Sequence, residues 1–321
     1  MFHAIPRLAR FPAALALLLV LLLAAQNAQA KDKLTLLLDW FVNPDHAPLF
    51  VAEERGYFAQ HGLEVEMIAP ADPNDPPKLV AAGKADIAVS YQPQLYLQVA
   101  AGLPITRFGT LIATPLNTLL VLADGPVKSI ADLKGRKVGY SIGGFEDALL
   151  RAMLARHGLG LDDITLVNVN FSLSPALLSG QVDAVIGAYR NFELNQMAIE
   201  GYEGRAFYVE EEGVPSYDEL ILVAHPERMD RAVLRRFLDA LEDGVRYLIN
   251  HPEESWQLFI RGRAELDDEL NRRAWRDTLA RFALRPAALD RARYARFARF
   301  MQEQGLIPEA LAVEDYAIVL D

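Results

Sequence analysis

The sequence AGKADIAVSY at residues 82–91 recurs in similar form as SGQVDAVIGAY at residues 179–189. Gly83 and Asp86 of the first copy lie 97 positions before the corresponding glycine and aspartate of the second copy. In each copy the glycine can end a helix in a left-handed conformation, the aspartate begins a strand, and a tyrosine follows the strand. The repeat predicts two lobes with the same local plan; the alternative is two unrelated helix–strand junctions.

Around the repeat, short apolar runs alternate with segments of helical periodicity, a pattern typical of an α/β protein with mostly parallel strands. A helix is predicted from residue 46 to residue 60, and from residue 226 onward almost the whole chain is predicted to be helical. The predicted strands cover residues 34–38, 63–68, 85–90, 137–141 and 165–169.

Two lobes in one chain must be joined by crossing segments, and two apolar segments lie near lobe-sized intervals, at residues 119–122 and 220–223. These boundaries place residues 31–122 together with residues 223–321 in the first lobe and residues 123–222 in the second lobe. The expected architecture is therefore two α/β lobes with a hinge and a ligand cleft between them, which closes when a ligand binds.

Residues 1–30 differ in character from the rest of the chain. Arg7 and Arg10 precede an apolar run from residue 13 to residue 25, and Ala28-Gln29-Ala30 follows. A membrane span needs roughly 20 apolar residues, so the segment is interpreted as a secretory signal peptide, cleaved after the last alanine, rather than as a membrane anchor. The mature chain is expected to be an exported periplasmic monomer without membrane insertion.

The chain of 321 residues contains no cysteine and has 32 basic against 43 acidic residues, a formal net charge of −11. The absence of cysteine excludes disulfides, cysteine-ligated zinc, iron–sulfur clusters and a thiol nucleophile. The acidic balance argues against binding to nucleic acid or to an anionic membrane surface. Acidic residues are interleaved through much of the arginine-rich segment 261–299, which is therefore interpreted as solvated helix faces.

Ligands of open α/β sheets bind beyond the carboxyl ends of the strands, so the loops that follow the predicted strands form the candidate site. In the first loop Trp40 offers a flat stacking face, while Asp39 and Asn43 offer hydrogen-bonding groups. His46 is either a ligand contact or a capping histidine at the start of a helix. The histidines of the mature chain lack metal-ligand spacing, so no metal site is predicted.

A glycine-containing loop joins a predicted strand and helix in the second lobe. Gly143 and Gly144 let backbone N–H groups approach a ligand closely, and a helix start favours anions. Here, however, Glu146 and Asp147 occupy the first helical turn and would repel a phosphate. The loop is therefore predicted to contact a neutral or cationic group, and a plain strand–helix turn is the alternative.

The tyrosines that end the two repeat copies, Tyr91 and Tyr189, are predicted to face each other across the cleft. Glu193 follows the second copy and is suited to accept paired hydrogen bonds from an amino-heterocycle, although it could instead pair with Arg190. The loops contain no Ser/His/Asp order, P-loop or dinucleotide fingerprint. No catalytic residue is therefore assigned, and a binding protein is favoured over an enzyme.

Six short motifs are spread along the mature chain: Asp-Trp-x-x-Asn-x-x-His-x-Pro-Leu-Phe-x-Ala at 39–52, Gly-Tyr-Phe at 56–58, His-Gly-Leu at 61–63, Gly-Lys-Ala-Asp at 83–86, Leu-Lys-Gly-x-Lys-Val-Gly-Tyr at 133–140 and Gly-x-Val-Asp-Ala at 180–184. Together they resemble the NMT1/THI5-like group of periplasmic binding proteins. The first motif resembles the ThiY branch, which delivers a formylaminopyrimidine thiamin precursor to an ABC importer. Other relatives carry nitrate, sulfonates or riboflavin.

The resemblance implies a type II periplasmic binding fold, an ABC transporter permease as partner, and no cofactor. It further implies a planar pyrimidine held between aromatic side chains, here Trp40 with Tyr91 or Tyr189, while carboxylates read its amino and ring-nitrogen positions. The polar candidates matched in this way are Asp39, Asn43, His46, Gln92, Glu146 and Glu193.

The same superfamily includes a pyrimidine phosphate synthase that consumes its own histidine and uses pyridoxal phosphate. That enzyme's pattern has a lysine and a histidine a few residues beyond the Gly-Lys-x-Asp strand, together with a cysteine-rich iron-binding motif. The corresponding residues 90–94, SYQPQ, contain neither lysine nor histidine, and the chain has no cysteine. The synthase interpretation is therefore disfavoured.

Overall fold

The computed structural model describes residues 31–320, so the predicted signal peptide at residues 1–30 lies outside the described part of the chain. The strands are β1 (Asp32–Leu37), β2 (Leu63–Ile68), β3 (Ile87–Ser90), β4 (Thr106–Ile112), β5 (Asn117–Leu122), β6 (Lys137–Tyr140), β7 (Thr165–Asn168), β8 (Ala184–Tyr189), β9 (Gly204–Tyr208) and β10 (Leu220–Ala224).

The α-helices flank these strands and form most of the C-terminal third of the chain. They are α1 (Ala47–Glu54), α2 (Tyr57–Gln60), α3 (Pro76–Ala81), α4 (Gln92–Ala100), α5 (Phe145–Arg156), α6 (Leu173–Leu178), α7 (Glu193–Ile199), α8 (Arg231–Asn250), α9 (Pro252–Phe259), α10 (Glu269–Thr278), α11 (Arg291–Glu303) and α12 (Val313–Tyr316). Across the described residues, every helix is too short or too polar to span a lipid bilayer.

The strands form two five-stranded sheets of the same plan, in the orders β2-β1-β3-β10-β4 and β7-β6-β8-β5-β9. In each sheet three strands are joined by parallel pairing, and the strand that arrives from the other half of the chain pairs antiparallel with the middle strand and with the remaining edge strand. The strands of the two repeat copies, β3 and β8, occupy the same middle position. The α/β class and the two-lobed plan are therefore confirmed.

The glycine and the aspartate have the same spacing in both copies of the repeat, and this has a structural cause. Gly83 and Gly180 end helices with φ values of 68° and 72°, in the left-handed region that glycine tolerates. The Asp86 carboxylate accepts a hydrogen bond from the backbone N–H of Thr35 at 2.8 Å, and Asp183 does the same for Lys137 at 2.9 Å. Each aspartate thus ties its own strand to the neighbouring parallel strand.

The two crossing segments differ from those expected. The segment at 119–122 belongs to β5 in the second sheet, and the segment at 220–223 belongs to β10 in the first sheet. The chain therefore crosses between sheets at residues 113–116 and 209–219. A central strand is buried on both faces, so its sequence is a continuous apolar run. The sequence pattern therefore does not distinguish such a strand from a buried segment that connects the two lobes.

The predicted helix from residue 46 to residue 60 is interrupted. Residues 44–46 form a 3-10 turn, α1 follows, and Gly56 then adopts a φ of 70° before α2 begins. A left-handed residue cannot continue a right-handed helix, so the periodic segment splits into two helices at this glycine. From residue 226 onward the chain is mainly helical, as predicted.

The long helix α8 packs across α1 on the first lobe. Asp230 caps its start by accepting the N–H groups of Ala232 and Val233 at 2.9 and 3.1 Å. Gly244 lies at the point of closest approach, because a Cβ added there would be 2.8 Å from the carbonyl oxygen of Pro48 and from the Cβ of Ala52. The helix pair needs a residue without a side chain at this contact.

We expect Gly244→Ala to reduce the free energy of unfolding by about 1 kcal/mol. Helix propensity alone favours alanine by about 1 kcal/mol, but overpacking a close contact typically costs about 1–3 kcal/mol. Urea unfolding of the purified protein measures the difference. A gain in stability would contradict this packing argument.

Candidate functional site

A cavity that is partly open to solvent lies between the two sheets, and the space in it that is not filled by atoms, open solvent included, is about 480 Å³. Its walls are the loops that follow β1, β3, β6 and β8, so it lies at the carboxyl ends of strands from both lobes. Eight of the eleven predicted site residues line this cavity: Asp39, Trp40, Asn43, His46, Tyr91, Glu146, Tyr189 and Glu193.

Asp39 organises the first-lobe wall of the cavity. One carboxylate oxygen lies 2.8 Å from His46 Nε2, and the other accepts the Tyr91 hydroxyl at 2.7 Å. The backbone N–H of Asn43 points at His46 Nδ1 from 3.4 Å, so Nε2 carries the proton and donates to Asp39. Both oxygens of Asp39 are therefore engaged in holding the other side chains, which makes Asp39 a positioning residue.

Asn43 shapes the turn that carries this wall. Its side-chain oxygen accepts the N–H of Asp45 at 2.8 Å, and its amide nitrogen donates to the carbonyl of Phe41 at 3.1 Å. This is an N-cap of the 3-10 turn at residues 44–46. Asn43 thus lines the cavity with its polar atoms already engaged.

Asp45 joins the two lobes, a role that the sequence reasoning missed. Its buried carboxyl accepts hydrogen bonds from Asn191 Nδ2 at 2.6 Å and from Thr278 Oγ1 at 3.0 Å. Asn191 follows β8 in the second lobe, and Thr278 ends α10. Burial raises the pKa of Asp45 to about 6, although the facing His46 and the two hydrogen bonds lower it.

Glu146 and Glu193 have equivalent positions at the starts of α5 and α7. Each buried carboxyl accepts a backbone N–H from the preceding loop, that of Ser141 at 2.7 Å and that of Tyr189 at 2.6 Å. Burial raises the pKa of Glu146 to about 8 and that of Glu193 to about 7. Near neutral pH these carboxyl groups can therefore act either as hydrogen-bond donors or as acceptors.

Aromatic side chains meet across the cleft. Tyr91 of the first lobe stacks on Phe145 of the second lobe with ring centroids 4.8 Å apart and an interplanar angle of 15°. Trp40 meets Phe171 edge-on at 4.4 Å. Trp40 and Tyr91, which were predicted to stack on a ligand, thus pack on rings of the opposite lobe. Phe145, which follows Gly144 directly, was not predicted as a site residue, although an aromatic side chain at this place is suited to stacking.

Three predicted residues do not line the cavity. Gln92 is buried inside the first lobe, where Oε1 accepts the N–H of Asp218 at 2.7 Å and Nε2 donates to the Tyr96 hydroxyl at 2.8 Å. Gly143 and Gly144 lie beside the other lobe, where the N–H of Gly143 donates to Asn74 Oδ1 at 3.2 Å. The two glycines therefore contact protein, whereas Ile142, Phe145 and Glu146 beside them line the cavity.

Glu219, which sequence reasoning also missed, lies behind Tyr189. Its carboxyl accepts the N–H groups of Leu116 and Asn117 at 2.6 and 2.9 Å, the Tyr217 hydroxyl at 3.1 Å, and the Tyr189 hydroxyl at 3.4 Å. Burial raises the pKa of Glu219 to about 7. This residue links both crossing segments to the cavity wall.

The cavity is acidic. Its lining contains four carboxyl groups, and lysine and arginine are absent among the described residues that line it. The suggested pairing of Glu193 with Arg190 is not what the structure has, because Arg190 forms two hydrogen bonds of 2.7 and 2.8 Å with Glu210. Within residues 31–320, no group of three or more acidic or histidine side chains is arranged to hold a metal ion. The cavity is therefore suited to hydrogen-bond donors and cations.

The raised pKa of Glu146 predicts a pH-dependent stability for the ligand-free protein. Between pH 4.5, the ordinary pKa of a glutamate, and about pH 8, the Glu146 carboxyl is ionised in the unfolded chain but protonated in the folded chain. The free energy of unfolding should thus fall through this window as pH rises, by about 1.4 kcal/mol per pH unit for this one group. Below pH 4.5 its contribution is fully present.

Glu146→Gln keeps a neutral side chain of the same shape and removes this dependence. We expect the variant to match the wild type near pH 5 and to be more stable by about 2–4 kcal/mol near pH 8. Urea unfolding across this range measures the effect, with the exposed Glu203→Gln as the control. Parallel pH profiles for wild type and Glu146→Gln would contradict the assignment.

Residues 43–255 match the family described as NMT1/THI5 like. A protein of Haemophilus influenzae named for thiamine biosynthesis is 57% identical over 293 residues, which cover 91% of this chain and 93% of that protein. The formylaminopyrimidine-binding protein of Halalkalibacterium halodurans is 33% identical over 243 residues, 75% of this chain and 74% of that one.

A more distant relative is an enzyme. The 4-amino-5-hydroxymethyl-2-methylpyrimidine phosphate synthase of Schizosaccharomyces pombe is 25% identical over 289 residues, 87% of this chain and 83% of the enzyme.

Among solved structures, the alkanesulfonate-binding protein of Xanthomonas axonopodis pv. citri, bound to MOPS, superposes with a TM-score of 0.72 at 18% identity, covering 91% of this chain and all of that one. This likeness shows a type II periplasmic binding fold. Together with the family match and the relatives at 33% and 57% identity, it establishes that the chain belongs to the NMT1/THI5-like family.

Proposed function

We propose that this protein is the solute-binding component of an ABC importer and that it binds an aminopyrimidine precursor of thiamin in the cavity between its lobes. The observation that carries the proposal is the pairing of buried carboxyl groups with aromatic rings in a cavity whose described lining lacks lysine and arginine. Such a lining favours a planar ligand that donates hydrogen bonds.

The two helix-starting carboxyls are suited to the two edges of an aminopyrimidine. Glu193, whose pKa is about 7, accepts a hydrogen bond from the exocyclic amino group in this proposal. Glu146, whose pKa is about 8, keeps its proton and donates to a ring nitrogen. Trp40 and Tyr91 then supply the apolar faces that cover the ring.

The relatives support this ligand class. One is named as a formylaminopyrimidine-binding protein and another is named for thiamine biosynthesis. The signal-peptide pattern of residues 1–30 and the periplasmic binding fold support export to the periplasm and delivery to an ABC permease. A monomer is the assembly that we propose, because two lobes of one chain already enclose the cavity.

A pyrimidine phosphate synthase is the second candidate, because a relative of that name matches most of this chain. The site argues against it in two ways. The described cavity lining contains no lysine that could hold an aldehyde cofactor. Both ring nitrogens of His46 are engaged, one with Asp39 and one with the backbone of Asn43. A binding protein without catalysis fits these residues better.

The acidic lining predicts which solutes bind. By calorimetry at pH 7 we expect 4-amino-5-hydroxymethyl-2-methylpyrimidine to bind and its phosphate ester to bind at least about 100-fold more weakly, since a buried phosphate would find no cation. Nitrate, taurine and riboflavin complete the panel and should not compete. Tight binding of the phosphate ester, nitrate or taurine would refute the proposed ligand class.

Trp40 and Glu193 should act together, because they line the cavity from opposite lobes. We expect Trp40→Ala and Glu193→Gln each to weaken binding of the hydroxymethylpyrimidine by about 1–3 kcal/mol. The losses should be non-additive in the double variant, because both contacts need lobe closure. Calorimetry measures all four proteins, with the exposed Glu203→Gln as a control. Strictly additive losses would rule out a shared closure, and two unaffected single variants would move the site elsewhere.

A further inference from the structure

A second depression, here called the outer groove, adjoins the cavity and opens to solvent; the space in it that is not filled by atoms, open solvent included, is about 730 Å³. It is lined by α6 and α7 of the second lobe and by the start of α10. The groove and the cavity share three lining residues, namely Leu173, Phe192 and Glu193. The outer groove therefore borders the cavity directly.

Aromatic rings form the partition between the two spaces. Trp40 lines the cavity, whereas Phe41 and Phe171 line the outer groove. Trp40 and Phe171 lie 4.4 Å apart between ring centroids, and Phe41 and Phe192 lie 5.8 Å apart. Phe41 is 41% exposed, so this part of the partition faces solvent. Only side chains thus separate the two spaces, and a ligand whose two rings are joined by a short linker would displace them.

Two residues that line the outer groove each have a buried side-chain polar atom without a hydrogen-bond partner. Ser174 Oγ and Asn271 Oδ1 are buried without a hydrogen-bond partner within residues 31–320. The amide nitrogen of Asn271 donates to Asp268 Oδ1 at 3.0 Å, so its carbonyl oxygen is left as an acceptor. Because buried polar groups in folded proteins are nearly always paired, these two atoms point to a missing donor or hydroxyl partner.

The charge of the outer groove selects the same kind of partner. Its described lining includes two carboxylates, Glu193 and Asp268, three phenylalanines, and neither lysine, arginine nor histidine. Phenylalanine faces attract cations through the ring quadrupole. An organic cation with a hydroxyl group would therefore satisfy the carboxylates, the rings and the unpaired polar atoms together.

We propose that the outer groove is a second subsite, which takes a cationic, hydroxyl-bearing ring joined to the aminopyrimidine by a short linker. The inference rests on the proposed function, because the first ring occupies the inner cavity. Residues of α10 line the groove opposite α6 and α7, so a two-ring ligand would contact both lobes at a second place. The protein then accepts two-ring as well as one-ring aminopyrimidines.

Thiamin itself is a suitable probe, because one methylene joins its aminopyrimidine to a cationic thiazolium ring that bears a hydroxyethyl group. Calorimetry with the purified protein compares thiamin with 4-amino-5-hydroxymethyl-2-methylpyrimidine. We expect thiamin to bind within tenfold of the affinity of the one-ring compound. Leu270→Lys, which places a cation in the groove, should weaken the binding of thiamin at least tenfold and change the affinity for the one-ring compound less than twofold. Ser174→Ala should weaken the binding of thiamin by about 3–10-fold and leave the binding of the one-ring compound unchanged.

Glu269→Gln is the matched control, since it changes the charge by the same one unit on the neighbouring residue, which does not line the groove. It should leave both affinities unchanged. If the one-ring compound binds and thiamin does not, the second subsite is wrong while the proposed function stands. Equal effects of Leu270→Lys on both ligands, or no effect on either, would also overturn the subsite. Failure of the one-ring compound to bind would overturn the proposed function itself.

Discussion

Glu219 holds together the two segments by which the chain crosses between its lobes. It sits at the end of the second crossing and accepts the backbone N–H groups of Leu116 and Asn117, where the first crossing enters β5. The neighbouring Asp218 faces the first lobe instead, where Thr110 and Tyr294 donate to it. The geometry of the cavity depends on these contacts of Glu219. They hold the two segments that connect the lobes side by side, and the Tyr189 hydroxyl of the cavity wall donates a hydrogen bond to the same carboxyl group.

A second constraint is the burial of several carboxyl groups in a cavity where neither lysine nor arginine is found among the described lining residues. Backbone N–H groups, hydroxyls and amides supply the hydrogen bonds instead, and the carboxyl pKa values rise towards neutrality. The ionised form of a carboxyl group held in this way is poorly stabilised, and a hydrogen-bond donor or a cation in the cavity would stabilise it. The cavity is thus electrostatically suited to hydrogen-bond donors and cations.

The sequence predicted the repeat, the α/β class and the edge of the sheets that carries the cavity, because each depends on local patterns. Asp86 and Asp183 are recognisable as a pair since each serves the strand beside it. Glu219 was missed because its backbone partners lie 102 and 103 positions earlier in the chain. Gln92 follows a cavity residue directly, but the first turn of α4 directs it into the lobe interior.

The contact between Asn74 and the glycine-containing loop depends on the side chain of one lobe and on the main chain of the other. Asn74 uses both ends of its amide, donating to the carbonyl of Ser141 and accepting from the N–H of Gly143, while Asp72 holds it in place. The second lobe contributes only main-chain atoms. Drift in the side chains of that loop over evolution would therefore leave this lobe-to-lobe contact intact, whereas a single change at Asn74 would remove both of its hydrogen bonds at once.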